Sequence, residues 1–289
     1  MSYMLGKLEP KIDGRTFQLR RLLIAENLPP LLKEFDVDNQ FTPHLIDNRM
    51  FANDLYGCCV ISGQAHASLR YECFEQNLLI NIADNEVVGT YLKQTGGADN
   101  GLYMLDSLNV WRKEGWIAGR KAYNIYAFAK LNSSYHDDVK YSIMLFRGVM
   151  AGLALPNSAK NQSVWDVSIY DGERGTWGGH CVYIHAYNET GPICMTWGRK
   201  QQMTWAFFTK YCDEAYAIID NRNLFTDSTT NPLNCEKLTK LLTEVTEEPL
   251  SPVNPNPPNP SPTPPIPWYV GIVKFFERLW KAILKVFGK

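Results

Sequence analysis

A proline-rich stretch near the carboxyl end, PLSPVNPNPPNPSPTPPIP, limits most strongly how this chain can fold. Ten of the 17 prolines lie between Pro249 and Pro267. Because proline lacks a backbone N–H and fixes φ, the stretch cannot lie inside a helix or a sheet, and it favours extended polyproline II. At about 3.1 Å per residue it would span roughly 60 Å. We therefore expect a semi-rigid spacer.

This spacer divides the 289-residue chain into three predicted parts. They are a folded domain over 1–225, a polar and then proline-rich linker over 226–267, and a detached helix over 268–289. The first part is long enough to bury one large core or two small ones. The formal net charge of −1 argues against a general nucleic-acid-binding surface, and no pattern sets an oligomeric state.

No metal or cofactor is predicted. The seven cysteines are odd in number and show no framework spacing, which is typical of reduced thiols in a cytosolic protein. The chain has no Cys-x-x-Cys zinc spacing and no glycine-rich phosphate loop. The opening MSYMLGKLEPKIDGR has no apolar run of the kind that secretory signals contain. We expect cytoplasmic synthesis, with a peripheral position at a membrane or in a virion.

The folded part shows helical patterns followed by strand patterns, which favours an α+β fold. Apolar residues at every fourth position predict a helix over 59–77. The other predicted elements are a helix over 137–146, strands over 148–155, 181–187 and 193–197, and a hairpin turn, NETG, over 188–191.

A pair of cysteines lies where the first helix begins, in NDLYGCC. A thiol nucleophile needs a lowered pKa and a base within reach. Cys59 is at the start of the helix, where unpaired N–H groups and the helix dipole favour a thiolate, and Gly57 allows a tight turn before it. Cys59 is therefore the candidate nucleophile, and Cys58 is interpreted as a bystander. The alternative is that Cys59 is a small core residue.

Histidine is the expected base, and the chain has five. His66 follows Cys59 by seven residues, about 10.5 Å along the same helix, which is too far for a hydrogen bond. His180 and His185 belong to one predicted strand, where alternation places them on opposite faces. Only one of these two can face the cysteine.

Three segments, in this order, resemble the papain-like cysteine peptidases, most closely their divergent bacterial and phage-type members. Asn53-Asp-Leu-Tyr-Gly-Cys-Cys59 is similar to the family's Gln-x-x-x-x-x-Cys, in which the catalytic Cys begins a long helix. Gly179-His180-Cys-Val-Tyr-Ile-His-Ala-Tyr187 is similar to its histidine strand. Thr196-Trp197-Gly198 is similar to its Asn-Ser-Trp-Gly strand. The similarity covers roughly residues 50–220.

The resemblance implies a papain-like α+β fold, with the nucleophile helix in a helical N-terminal half and an antiparallel sheet in the C-terminal half. It implies Cys59 as nucleophile, His180 as base and Asn53 as an oxyanion-hole donor, beside the backbone N–H of Cys59. The implied reaction is cleavage of a peptide or amide bond through a Cys59 thioester. No propeptide is evident before residue 50, so zymogen control is not expected.

One position departs from the family pattern. Where the family has the Asn that orients the histidine, this chain has Met195, which cannot orient an imidazole. Thr196 and Asn188 are candidate third members, although Thr196 is expected on the other strand face unless a bulge re-aims it. The alternative hypothesis is an inactive papain-fold protein with a structural or binding role in a virion or envelope. A third is a transferase, because a thioester can pass to an amine.

The last predicted part, WYVGIVKFFERLWKAILKVFGK, has the pattern of a cationic amphipathic helix. At 100° per residue its charged residues fall within an arc of about 120°. Five basic residues and one acidic residue give it a charge of +4. Charges recur too often for a transmembrane helix, so we expect it to lie on a lipid surface. The alternative is docking on the body, on a partner or on a copy of itself. The residues expected to contact lipid are Trp268, Lys274, Phe275, Phe276, Arg278, Leu279, Trp280, Lys281, Ile283, Lys285 and Phe287.

These patterns together predict a papain-like cysteine hydrolase without a cofactor. Its expected partners are a peptide or peptidoglycan-like substrate and a lipid surface. One concrete version is a lysin from a phage or a bacterium.

Overall fold

The structure, a computed structural model, describes residues 3–41, 46, 48–76, 78–119, 121–220 and 230–246. The proline-rich linker and the predicted lipid-binding helix over 268–289 lie outside these residues. Among the helices that are described, none is both long enough and apolar enough to cross a membrane.

Six α-helices and ten β-strands occur in the described part of the chain. The helices are α1 (Cys59–Gln76), α2 (Asp84–Thr95), α3 (Met104–Lys113), α4 (His136–Phe146), α5 (Trp205–Tyr211) and α6 (Cys235–Thr246). The strands are β1 (Phe35–Asp36), β2 (Trp116–Ala118), β3 (Lys121–Tyr123), β4 (Ala127–Leu131), β5 (Val149–Leu155), β6 (Val164–Trp165), β7 (Gly178–Tyr187), β8 (Pro192–Thr196), β9 (Arg199–Met203) and β10 (Cys212–Ile219).

Eight strands form one sheet in the order β4-β10-β5-β7-β8-β9-β6, with β1 paired to β7 beside this path. All pairs are antiparallel except β6 with β9. The strands β2 and β3 form a separate hairpin. The predicted α+β class, with the nucleophile helix in a helical first half and an antiparallel sheet in the second, is confirmed.

Two apolar cores lie on the two faces of β7. Val182 and Ile184 belong to the core that α4 and α5 cover, whereas Cys181 and Tyr183 belong to the core that contains α1. Strand alternation explains this division, because successive side chains point to opposite faces. Helix α1 is buried along nearly its whole length, as expected for a helix between a sheet and other helices. Its first residue, Cys59, therefore meets the sheet from inside the protein.

The five elements predicted from periodicity are confirmed, with small shifts at their ends. They correspond to α1, α4, β5, β7 and β8. The predicted turn is also present, since the N–H of Asn188 donates to the carbonyl of Gly191. Residue 77, the last of the predicted first helix, lies outside the described residues.

The predicted linker start at residue 226 is wrong for residues 233–246. Leu233 forms an isolated β-bridge with Leu23. Leu238 and Leu242 of α6 are buried in the core that α4 and α5 cover. The two leucines are four positions apart, so they share one face of a helix and can pack while the polar residues around them stay in water. Because most residues of this stretch are polar, the packed helix α6 was not predicted from the sequence.

Candidate active site

The start of α1 lies directly beside β7. The thiol of Cys59 accepts a hydrogen bond from the backbone N–H of Cys181, with 3.4 Å between Sγ and N. Cys181 is the residue after His180. On the other side, the turn before α1 is fixed by Asp99, whose Oδ1 accepts from the N–H of Gly57 at 2.9 Å. The fold therefore brings the candidate nucleophile next to the strand that carries the candidate base.

The imidazole of His180 is buried and held by two neighbours. Its Nε2 lies 2.6 Å from Oγ1 of Thr196. Its ring stacks on Trp197 with 4.1 Å between centroids and 11° between planes. Trp197 and Gly198 both have positive φ, at 44° and 71°, which gives the tight turn between β8 and β9 that places these residues. The other ring nitrogen, Nδ1, makes no hydrogen bond within the described part of the chain.

Thr196, not Met195, contacts the histidine. Met195 lies opposite Tyr183, whose side chain belongs to the α1 core. The next side chain along β8 points to the other face, which is the face of His180. The expectation that Thr196 would point away from the histidine is therefore wrong. That expectation treated Met195 as the structural match of the family's Asn. The hydroxyl of Thr196, the next residue, reaches His180 instead.

Asn188, the other candidate third member, lies far from His180. Asn188 follows the end of β7 and is eight residues after His180, which corresponds to roughly 26 Å along extended backbone. Its Nδ2 donates to Oε1 of Gln202 at 2.9 Å, and its Oδ1 accepts from two N–H groups of the hairpin turn. Asn188 stabilises the turn, and the structure does not bring it to the histidine.

Comparison with solved structures identifies the architecture around this pair. Xylellain, a cysteine protease from Xylella fastidiosa, superimposes with a TM-score of 0.61 at 14% identity, over 76% of this chain and 97% of that chain. The proCathepsin B S9 from Trypanosoma congolense gives 0.56 at 13% identity, over 75% and 86%. The cysteine protease CMS1MS2 from Carica candamarcensis, in complex with E-64, gives 0.50 at 11% identity, over 66% and 100%. The chain has the papain-like fold. No protein-family model and no curated protein sequence matches it.

In this papain-like chain, both candidate catalytic groups are uncharged at neutral pH. Burial raises the pKa of the Cys59 thiol, although N–H groups of Cys181 and Gly6 and the charge of Lys7 act in the opposite direction. Burial lowers the pKa of His180 to about 3. A thiolate–imidazolium pair could therefore form only if water or a substrate replaced the part of the chain that buries these two side chains.

The cover is the N-terminal segment, which we define as residues 3–8. The N–H of Lys7 donates to the carbonyl of Gly179 at 3.1 Å, one residue before His180. On the opposite wall, Leu102 exchanges two backbone hydrogen bonds with the segment, at 2.8 and 2.9 Å. This is how an extended peptide binds between two walls, through main-chain hydrogen bonds on both sides.

Gly6 of this segment lies near the thiol. Its backbone N–H is close enough to lower the pKa of Cys59, and a Cβ added to Gly6 would lie 1.7 Å from the carbonyl oxygen of Gly57. On the other wall, a Cβ added to Gly179 would lie 2.1 Å from the carbonyl oxygen of Lys7. The segment fits only because glycines allow backbone to touch backbone. No propeptide was predicted before residue 50, yet residues 3–8 lie in the cleft beside Cys59 and Gly179.

Asn53 contacts a carbonyl of the same segment. Its Nδ2 donates to the Met4 carbonyl oxygen at 3.4 Å and to that of Tyr56 at 3.0 Å. The indole N–H of Trp197, from the opposite wall, donates to the same Met4 oxygen at 3.2 Å. Two N–H donors thus converge on one peptide carbonyl. Asn53 was predicted as a donor from the sequence, whereas Trp197 was not, although the Trp-Gly motif was the available signal.

A second polar cluster lies on the α1 face of the sheet. Asp36, Asp38 and His185 have donor atoms within 4.8 Å of one another, a spacing compatible with a metal ion. However, Arg70 donates to both oxygens of Asp38 at 2.7 and 3.0 Å, and Lys200 Nζ lies 2.8 Å from Asp38 Oδ2. Two cations already balance the two carboxylates, so the donor set fits an ion-pair network better than a metal site.

Proposed function

We propose that this protein is a cysteine hydrolase that cleaves a peptide or amide bond through a thioester at Cys59. The observation that carries the proposal is the position of His180 in the chain. His180 contacts Thr196 and Trp197, and it directly precedes Cys181, whose backbone N–H donates to the Cys59 thiol. In the proposed reaction His180 takes the thiol proton, the thiolate attacks the carbonyl, and the imidazolium protonates the leaving amine. Water then hydrolyses the thioester.

The held carbonyl of Met4 supports a role for Asn53 in this reaction. Donors that converge on a peptide carbonyl stabilise the negative charge that develops on its oxygen during attack. We assign this role to Nδ2 of Asn53, with the backbone N–H of Cys59, and we add the indole N–H of Trp197. The short asparagine side chain reaches the carbonyl because the segment lies close to this wall.

In this proposal the form with the N-terminal segment in the cleft is latent. Release of the segment admits water, which removes the burial that keeps Cys59 and His180 neutral. A papain-fold protein without catalysis is the second candidate, and the fully buried thiol below Gly6 is the observation that favours it. The two candidates differ in whether Cys59 ever becomes the most reactive thiol.

The distinguishing experiment maps the reaction of a peptide-like electrophile across all seven cysteines of the full chain by mass spectrometry. A catalytic Cys59 is expected to react faster than the other six, of which five are buried and Cys235 is partly buried. The same mapping on Gly6→Val, in which the segment cannot remain over the thiol, is expected to sharpen this selectivity. A folded Gly6→Val protein that reacts elsewhere but spares Cys59 decides for the second candidate.

We further propose that residues 268–289 bind a lipid surface, so that the enzyme works at the periphery of a membrane or in a virion. A lysin that cuts peptidoglycan-like cross-links is the concrete form of this proposal. The support is the cationic amphipathic pattern behind a long proline-rich spacer. Truncation at Pro267 is expected to abolish co-sedimentation with anionic vesicles, and unchanged co-sedimentation would contradict it.

A further inference from the structure

The side chain of Lys7 lies in a buried acidic pocket next to the candidate active site. Its Nζ lies 2.9 Å from Oδ2 of Asp213 and 3.3 Å from Oε1 of Glu214, and it donates to the carbonyl of Leu8 at 2.9 Å. The exposed fractions of these side chains are 1% for Lys7, 8% for Asp213 and 1% for Glu214. A lysine is almost never buried this deeply unless it is paired.

The backbone around the pocket is shaped to receive a long basic side chain. The pairing of β10 with β5 shifts register between Cys212 and Glu214, which is a bulge at Asp213. Regular alternation would send two successive carboxylates to opposite faces, whereas a bulge lets both face the pocket. Gly152 on β5 provides the space, because a Cβ there would lie 2.1 Å from Cε of Lys7.

The pocket has more acceptors than Lys7 can use. Oδ1 of Asp213 is buried and makes no hydrogen bond within the described residues. Burial raises the pKa of Glu214, even though Lys7 and the hydroxyl of Tyr216 act to lower it. Burial acts to lower the pKa of Lys7, but the two carboxylates raise it above its ordinary value. Two carboxylates thus face one ammonium, and a guanidinium with five N–H donors could engage both.

The pocket is in register with the thiol. Gly6, whose N–H lies near Cys59, directly precedes Lys7, and the N–H of Lys7 donates to the carbonyl of Gly179 next to His180. A peptide that follows the same path would place one side chain in the acidic pocket and its neighbouring backbone over the nucleophile. Removal of the N-terminal segment would leave two buried carboxylates without their cation, which is unfavourable. A basic side chain from a substrate restores that pairing.

We infer that Asp213 and Glu214 form a specificity pocket, and that the substrate is a peptide or protein with arginine or lysine at the position that Lys7 occupies. This inference rests on the proposed hydrolase function. Arginine is the better match, because its donors fit the two carboxylates more completely. The N-terminal segment then acts as a tethered peptide that fills the cleft with the side chain that the pocket prefers.

The test uses the full chain with Lys7→Glu, so that the tethered side chain no longer competes. Two thiol-reactive peptide probes, identical except for arginine or norleucine at the pocket position, are compared by their rates of labelling at Cys59. We expect the arginine probe to react about 10²-fold faster, since a buried charge partner contributes on this scale. Adding Asp213→Asn and Glu214→Gln, which keep size but remove charge, is expected to bring the ratio close to 1.

Iodoacetamide, which needs no pocket, separates failure of this inference from failure of the proposed function. Equal rates for the two probes, with Cys59 still selectively alkylated by iodoacetamide, overturn the specificity pocket and leave the hydrolase proposal intact. No selective reaction of Cys59 with any of the three reagents overturns the proposed function, and the inference with it. If the double substitution unfolds the chain, Asp213→Asn alone, at the more exposed carboxylate, is expected to reduce the ratio at least severalfold.

Discussion

Replacing Lys7 by glutamate is expected to raise the rate at which iodoacetamide modifies Cys59 by roughly 10²- to 10³-fold. The native ammonium lies 2.9 and 3.3 Å from two buried carboxylates, and the substitution would place a third carboxylate among them. Loss of one partner from a buried ion pair costs about 3–5 kcal/mol, and each 1.4 kcal/mol changes an equilibrium about tenfold. Most of this cost is removed when the N-terminal segment leaves the cleft, so the population with an exposed thiol rises.

Gly6→Val tests the same opening without a change of charge. Its side chain would meet the backbone of Gly57, with Cβ 1.7 Å from the carbonyl oxygen, so the segment cannot return to its place. Gly14→Val is the matched control, because a Cβ added at Gly14 meets nothing within 4 Å. Labelling is followed by peptide mapping, and thermal unfolding shows that each variant stays folded. If Lys7→Glu and Gly6→Val both label no faster than Gly14→Val, the segment does not control access to Cys59.

The elements that hold the two candidate catalytic residues could be predicted because each carries a local pattern. Helix α1 shows apolar residues at every fourth position, and β7 contains the strand-like stretch CVYIHAY, so both follow from short stretches of sequence. The order of the cysteine, histidine and Trp-Gly segments then indicated that Cys59 and His180 lie together. Local periodicity was sufficient to predict an element wherever the apolar residues of that element alone determine which of its faces is buried.

The parts that could not be predicted depend on contacts between residues far apart in the chain. The N-terminal segment is too short for a periodic pattern, and its partners are Asn53, Leu102 and Gly179. Nothing near residue 7 indicates that a lysine meets carboxylates more than 200 positions later. The bulge at Asp213 is likewise a property of strand pairing and not of the residues that flank it.

The candidate third member, Thr196, could not be predicted reliably because its position depends on strand register. Sequence similarity placed Met195 at the family's Asn position, yet strand register gives the neighbouring Thr196 the face of His180. A shift of one residue reverses which side chain reaches the histidine, because strand side chains alternate. The hydroxyl can accept a hydrogen bond from Nε2, which would leave Nδ1 for the thiol in the proposed reaction. Met195 therefore does not leave the histidine without an orienting partner.

Removing His180 is expected to lower the rate at which a peptide-like electrophile labels Cys59 by about 10³-fold, measured in the open Gly6→Val background. General acid–base catalysis contributes about 10²–10⁴ in rate, and without the imidazole Cys59 remains a thiol at neutral pH. Thr196→Val keeps the side-chain shape but removes the hydroxyl 2.6 Å from Nε2. We expect a loss of at least about tenfold, below the roughly 10⁴-fold loss seen when a serine triad loses its aspartate.

Asn188→Ala is the control for this series, because Asn188 stabilises the hairpin turn far from the histidine. It is expected to lower the temperature of unfolding while leaving the labelling rate of Cys59 unchanged.

The pH dependence supplies a second readout: in the open background, labelling should rise with the titration of His180, and His180→Ala should move the rise to the pKa of a free thiol. An unchanged rate and profile in His180→Ala would show that Cys59 reacts without this histidine. A loss in Asn188→Ala with none in Thr196→Val would reassign the third member.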